Sequence, residues 1–484
     1  MNSLRAPRQS ILGGTVRVFG AELFALPTGL VTAVFLSRQF GPSNYGLYSL
    51  AAVLVTWLEW TLTSIFSRAA IKFIGEADDW MPVSAAVLRW YAVTSCAAAV
   101  LLGLLAEPIS SLLGKPGFAN YLRLFAIDIP IFSLAQAHRN ILIGVGRFAE
   151  RAWMSATRWL ARLVLIVLLV GLGWGIAGAI IGSIGASLLE LLVGRWHIRP
   201  ALFQPAGFPI RTLSIYAIPL FLYSMTLGFY DKLGLFALQA LGGTAEQAGF
   251  YSAAQNLTIV PSVLAAAFSP LLLAALARAL HDGDVSLAQV LSRNAMRGVI
   301  LLLPFAGMTV GISSEVVTLI LGQPFLPAAP LLAWLIFGAL ALLMLSVTTA
   351  ALTAAGKPQW TFGLAGVGLP FAVIGYLITI PRLTVQGAAI TTTLAAWLAA
   401  FATLWGIHRV WRITPPWKTA FRAIAISALA YGESVFWATP GVLLLLKIGI
   451  IVLSIGIAFF LLGEFDASEM SGWLEKVRAQ VLLR

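Results

Sequence analysis

Gly41-Pro42-Ser43-Asn44-Tyr45-Gly46-Leu47-Tyr48-Ser49-Leu50-Ala51 follows the first long apolar run of the chain. Gly243-Thr244-Ala245-Glu246-Gln247-Ala248-Gly249-Phe250-Tyr251-Ser252-Ala253-Ala254 follows the seventh. Both contain Gly-[Leu/Phe]-Tyr-Ser-x-Ala, at an offset of 203 residues. Three further echoes keep the same order. Leu113-Gly114-Lys115-Pro116 returns as Leu321-Gly322-Gln323-Pro324, Gly146-Arg147 as Gly356-Lys357, and Gly178-Ala179-Ile180 as Gly387-Ala388-Ala389-Ile390. An offset that drifts by only a few residues marks an internal repeat.

The repeat lies in a membrane protein. Of 484 residues, 60% are hydrophobic and only 10% are Asp, Glu, Lys or Arg, against about 25% charged in a soluble domain. The mean hydropathy is +0.91. A spanning helix needs about 20 mainly apolar residues. Fourteen runs meet that requirement: 13–36, 44–66, 84–106, 119–143, 154–173, 175–196, 213–239, 247–274, 296–320, 327–354, 360–380, 386–408, 419–438 and 441–463. None shows the two-residue alternation of a barrel strand, so the expected fold is all-α and polytopic with 14 transmembrane helices. Cys96, the single cysteine, sits in an apolar run and reads as a buried small hydrophobe.

The repeat unit holds six helices, an even number, so both copies enter the membrane in the same direction. Such a parallel repeat places a substrate path between two lobes. The expected organisation is an N-lobe at 1–196, a cytoplasmic linker at 197–212 and a C-lobe at 213–408. Two extra helices follow at 409–463, then an amphipathic cytoplasmic tail at 464–484 whose Trp473, Leu474, Val477 and Val481 alternate with Lys476 and Arg478.

The net charge of +12 follows from topology. With the N-terminus inside, 25 of the 31 lysines and arginines fall on inner segments or inner helix ends, among them Arg139, Arg147, Arg151, Arg158 and Arg162. The remainder are Arg38, Lys115, Arg123, Lys232, Arg382 and Lys447. This asymmetry puts both termini in the cytoplasm and accounts for the positive charge without nucleic acid.

Phe40-Gly41-Pro42-Ser43-Asn44-Tyr45-Gly46-Leu47-Tyr48 resembles the signature after helix one of bacterial polysaccharide and oligosaccharide-lipid flippases. These belong to the multidrug/oligosaccharidyl-lipid/polysaccharide exporter superfamily. Asp231-Lys232-Leu233-Gly234, Ala248 to Ala254, Pro270, and Leu321-Gly322-Gln323-Pro324-Phe325-Leu326-Pro327-Ala328-Ala329 resemble its second-lobe pattern. The resemblance runs from about 11 to 410. It implies a bacterial inner-membrane protein that moves an undecaprenyl-diphosphate-linked oligosaccharide between leaflets by alternating access, driven by H+ or Na+. It also implies surrounding membrane lipids and polysaccharide polymerase machinery as partners, and no cofactor. In the lipid II branch, sodium binds an acidic residue of helix seven with polar partners on helices eleven and twelve. Helix eleven here, Thr361 to Ile380, carries neither Asp nor Asn, so that pattern is incomplete.

An ionisable side chain at bilayer depth costs at least about 2.5–3.5 kcal/mol and usually faces a cavity or a partner. Glu22 on helix one and Glu59 on helix two lie roughly 10–14 Å from the cytoplasmic helix ends. They can face each other, or share Arg17, across a vestibule; a structural ion pair is the plainer use. Arg139 is a further substrate candidate, or a side chain snorkelling to the inner headgroups. Asp128 is the deepest carboxylate of the lobe and the best placed for ion coupling. Trp57, beside Glu59, offers a ring for a sugar or for packing. In the second lobe Asp231 and Lys232 are coupling candidates, and Gln255 and Asn256 are substrate contacts or helix–helix hydrogen bonds.

Enzyme readings fare less well. Gly114-Lys115 and Gly356-Lys357 lack the glycine five positions earlier that a phosphate loop needs. His138, His197, His281 and His408 make no metal spacing. A membrane polymerase or ligase needs a sizeable outer loop, and every expected outer loop is under about twenty residues. A cation-coupled small-molecule or drug antiporter of the same superfamily is the transporter alternative.

Overall fold

The computed structural model describes residues 24–77, 79–115, 117–200, 232–437, 439, 441 and 443–464. Arg17, Glu22, Asp231, most of the seventh expected span, linker residues 201–212 and tail residues 465–484 lie outside these. The helices are α1 (Ala25–Glu76), α2 (Trp80–Leu112), α3 (Phe118–Ala126), α4 (Asp128–Val145), α5 (Phe148–Gly171), α6 (Gly175–His197), α7 (232–240), α8 (Ala245–Leu257) and α9 (Ile259–His281). They continue as α10 (Val285–Ile300), α11 (Leu303–Gly311), α12 (Ser313–Ile320), α13 (Ala329–Ala354), α14 (Pro358–Gly366), α15 (Gly368–Trp411), α16 (Trp417–Phe436) and α17 (Leu443–Leu461). Every regular element among the described residues is helical, and the described parts of the expected spans fall on these helices. Eight of the described helical stretches are individually long and apolar enough to cross a bilayer. The protein is an all-α, multi-pass membrane protein.

Local chemistry sets the breaks. Gly41 takes φ 67°, a left-handed conformation open to glycine, and Pro42 follows it, so α1 turns there into arms 25–40 and 42–76. Thr384, at φ 51°, makes the equivalent turn inside α15 three residues after Pro381. Two boundaries differ from expectation. The second helix runs to Glu76 rather than ending near 66, because Ser67, Ala70 and Ile74 continue its packed face. The fifth starts at Phe148 rather than 154, its first turn held by the Arg147–Glu150 ion pair at 2.8 Å. Cys96, expected to be buried, is exposed on α2.

The chain forms two compact units, Met1–Asn256 and Leu257–Arg484. In the first, α5 and α6 make a close hairpin because Gly178, Gly182 and Gly185 present no side chain to α5. A Cβ on Gly182 would lie 2.8 Å from the Ile166 nitrogen. Small residues at such spacing let membrane helices approach backbone to backbone. A polar network joins α1, α2 and α4: Tyr91 Oη donates to the Thr63 carbonyl at 2.9 Å, Asn140 Nδ2 to Tyr91 Oη at 3.0 Å, and Ser67 Oγ to Asn140 Oδ1 at 3.1 Å.

In the second unit Gly307 and Gly311, one turn apart on α11, perform the same service against α16. A Cβ on Gly307 would sit 2.5 Å from the Ser427 carbonyl oxygen. Ion clusters fix the two ends of the C-terminal helix pair. Lys447 Nζ, buried on α17, holds Glu315 Oε2 of α12 at 2.9 Å and the Trp437 carbonyl at 2.6 Å. Beyond the far end of α17, Glu464 gathers Arg297 of α10, Arg422 of α16 (both 2.8 Å) and Thr419 Oγ1 (2.5 Å).

Candidate functional site

Among the described residues of the first unit, charged side chains gather in its interior. Six ionisable side chains converge from four helices: Glu59 from the 42–76 arm of α1, Asp128 and Arg139 from α4, Arg158 and Arg162 from α5, and Glu190 from α6. Helix geometry explains how they meet. Arg158 and Arg162 are four apart and share a face of α5. Arg139 lies six residues before the end of α4, Glu190 seven before the end of α6, and Arg158 ten after the start of α5. At about 1.5 Å per residue these three share a tier roughly 9–15 Å deep. Asp128, Arg162 and Glu59 are 14–17 residues from the same helix ends, one tier higher, roughly 21–26 Å deep.

Glu190, fully buried, organises the lower tier. Arg139 meets both of its oxygens, Nε to Oε1 at 2.7 Å and Nη2 to Oε2 at 3.1 Å. Arg158 Nε approaches Oε2 at 3.4 Å. Beneath the two guanidiniums lies one aromatic ring: Phe132 is 4.3 Å from Arg158 Cζ and 5.7 Å from Arg139 Cζ, both within cation–π range. Trp159 adds a second ring at 5.4 Å from Arg158. In the upper tier Arg162 lies against Tyr48 and within electrostatic reach of Asp128 and Glu59, and Ser187 is beside Asp128. Glu59 Oε1 and Asp128 Oδ1 are buried and accept no hydrogen bond from the described residues.

The cluster sets three arginines against three carboxyl groups. Their exposures are unequal: the three carboxylates are 0–3% exposed, whereas the Arg158 and Arg139 side chains reach 14% and 10% and Arg162 is only partly buried. What exposure the cluster has lies on its guanidiniums and not on its carboxylates. Burying so many charges is expensive unless function retains them.

The other candidates are placed separately. Trp57 packs edge-to-face on Phe236 at 6.4 Å. Asn256 donates from Nδ2 to Tyr45 Oη at 2.9 Å, a helix–helix hydrogen bond. Gln255 and Lys232 are half-buried, each with partners of its own. The two copies of the repeated motif also touch. A Cβ on Gly46 would fall 2.7 Å from the Gly249 nitrogen, and one on Gly249 would be 3.1 Å from the Gly46 nitrogen and within the van der Waals shell of Pro42 O.

A membrane unit built around arginines, with the Gly-x-Tyr-Ser motif at its helix crossing, has a match among protein families. The family described as "polysaccharide biosynthesis protein" covers residues 12–272, more than half of the chain. The chain belongs to this family. Family membership is joined by a shared fold. The lipid II flippase MurJ, in an inward closed conformation, superposes with a TM-score of 0.75 at 14% identity, over 91% of this chain and 97% of that one. An inward-facing multidrug resistance transporter of the MATE family gives 0.68 at 17% identity, over 80% and 95%. A transporter of the same MOP superfamily from Pyrococcus furiosus, described as having a binding pocket of reversed polarity, gives 0.59 at 16% identity over 84% and 98%. No curated protein matches the chain in sequence.

Two arginines and one glutamate of the cluster differ from the sequence reading. Arg158 and Arg162, expected at an inner helix end, lie 10 and 14 residues inside α5 because that helix starts earlier than its apolar run. Glu190 was missed by the sequence reading, although a lone carboxylate within a 22-residue apolar span is a signal that marks a cavity or a partner. Glu59 is 17 residues from the end of its helix, deeper than the first reading.

Proposed function

We propose that the protein is a flippase for undecaprenyl-diphosphate-linked oligosaccharide. It moves this lipid from the inner to the outer leaflet of a bacterial inner membrane, with both termini in the cytoplasm. The observation that carries this reading is the set of three arginines within the membrane-spanning part of a polysaccharide-family protein. A polyprenyl cargo leaves its apolar tail in lipid but must bring a diphosphate through the interior, and guanidiniums are the groups suited to phosphate oxygens. Phe132 and Trp159 provide apolar and π surface beside those cations.

The repeat supplies the cycle: lobes 1–196 and 213–408 alternate the side to which the path opens, with H+ or Na+ coupled at Asp128, and Asp231 and Lys232 acting in the second lobe. Glu59, Trp57 and Arg139, with Arg17 and Glu22, contribute to the substrate path. The likeness to multidrug transporters keeps an ion-coupled drug antiporter as the second reading. Polysaccharide-family membership and the interior arginines favour the first.

The two readings separate in cells lacking the protein. Mass spectrometry of lipid extracts is expected to show accumulated undecaprenyl-linked oligosaccharide, relieved by wild type and not by stably expressed Asp128→Asn. Unchanged lipid with altered drug tolerance would overturn the flippase reading.

A further inference from the structure

Resting on the flippase reading, we infer that Glu190 is an internal competitor that occupies the headgroup arginines when no cargo is bound. The geometry of the lower tier is that of a filled anion site. Glu190 offers two oxygens to Arg139 in a paired contact, 2.7 and 3.1 Å, and the second of these oxygens is also reached by Arg158 at 3.4 Å. One of these contacts is a charge-assisted hydrogen bond, Nη2 to Oε2, the kind of bond by which arginine also holds phosphate oxygens. Glu190 is fully buried behind the two guanidiniums, whose side chains carry what exposure the tier has. A diphosphate that reaches these arginines exchanges one anionic partner for another.

The internal partner makes the exchange reversible. Glu190 already meets Arg139 and Arg158, so an incoming headgroup has to displace it and is not held indefinitely. Return of Glu190 to Arg139 and Arg158 restores both contacts and expels the cargo. No bond is made or broken; only ion partners change. A transport site needs this property, since an uncompensated triple-arginine site would bind tightly and release slowly. Apparent affinity is the intrinsic affinity reduced by the fraction of protein whose site is free. Where the carboxylates keep the arginines free about a tenth of the time or less, removing Glu190 tightens binding by about tenfold or more.

The direction of that effect separates competition from a purely structural ion pair. Binding of farnesyl diphosphate, with inorganic pyrophosphate as the headgroup alone, is measured on the purified full-length protein for wild type, Glu190→Gln and Arg139→Gln. Glu190→Gln is expected to bind both probes about tenfold or more tightly than wild type, and Arg139→Gln more weakly. Because Glu190→Gln leaves buried arginines uncompensated, its folding is followed alongside. Its thermal midpoint is expected to be low without ligand and to rise with farnesyl diphosphate by more than that of wild type. Equal or weaker binding by Glu190→Gln, or a ligand-induced rise no greater than wild type, overturns the proposal. If that happens while cells lacking the protein still accumulate lipid-linked oligosaccharide, the competitor falls and the flippase reading stands. Tighter binding without such accumulation shows an anion site in a protein with a different cargo.

Discussion

Gly46→Ala is expected to lose most of the folded protein recovered in detergent, with a stability deficit of about 1–3 kcal/mol or more. The reason is backbone contact. The added methyl would stand 2.7 Å from the Gly249 nitrogen and closer still to the Ala245 carbonyl oxygen, and backbone atoms cannot rotate away as a side chain can. Gly249→Ala meets Pro42 O in the same way and should behave alike. Gly103→Ala is the control: nothing lies within 4 Å of its Cβ, and alanine is the better helix former by about 0.5–1 kcal/mol. Thermal unfolding followed by size-exclusion chromatography measures all three. A Gly46→Ala protein as stable as Gly103→Ala would contradict the close crossing.

The second large effect concerns Arg139. Arg139→Met is expected to cost about 3–5 kcal/mol, the usual penalty for stranding one member of a buried ion pair. Glu190, with no exposure of its own, would be left to the single 3.4 Å approach of Arg158. Arg139→Lys should recover little, since a single ammonium cannot place charge against both carboxylate oxygens as the guanidinium Nε and Nη2 do. The double variant Arg139→Met/Glu190→Met should regain stability because no lone charge remains, while transport stays lost. Stability of the two singles and the double, read by thermal unfolding, forms the cycle. A single variant as stable as wild type would show that the pair carries no energetic coupling.

The residues that define the membrane helices were legible because hydropathy over about 20 residues is set by the bilayer itself. The motif glycines were legible as a repeat, yet spacing alone could not say that Gly46 and Gly249 meet; only the fold brings positions 203 apart into contact. The charged cluster was half legible. Glu59, Asp128 and Arg139 stood out as ionisable groups in apolar runs. Arg158 and Arg162 read, with Arg147 and Arg151, as a cytoplasmic set for a diphosphate at the entry or for anionic lipid; their depth was hidden because Glu150, Arg151 and Arg158 make the first turns of α5 polar. Asn256 illustrates the opposite outcome: a polar side chain in an apolar span, suggestive of cargo, spends its donor on Tyr45.

Reconstitution tests the central claim most directly. Purified protein is placed in vesicles containing a polyprenyl-diphosphate-linked oligosaccharide, and the fraction of the glycan reached by an external glycosidase is followed over time. The account predicts that sugar from the inner leaflet becomes accessible far faster than in protein-free vesicles, and that Asp128→Asn slows it. Accessibility no faster than in protein-free vesicles, with the same vesicles exchanging a cationic drug for protons, would contradict it.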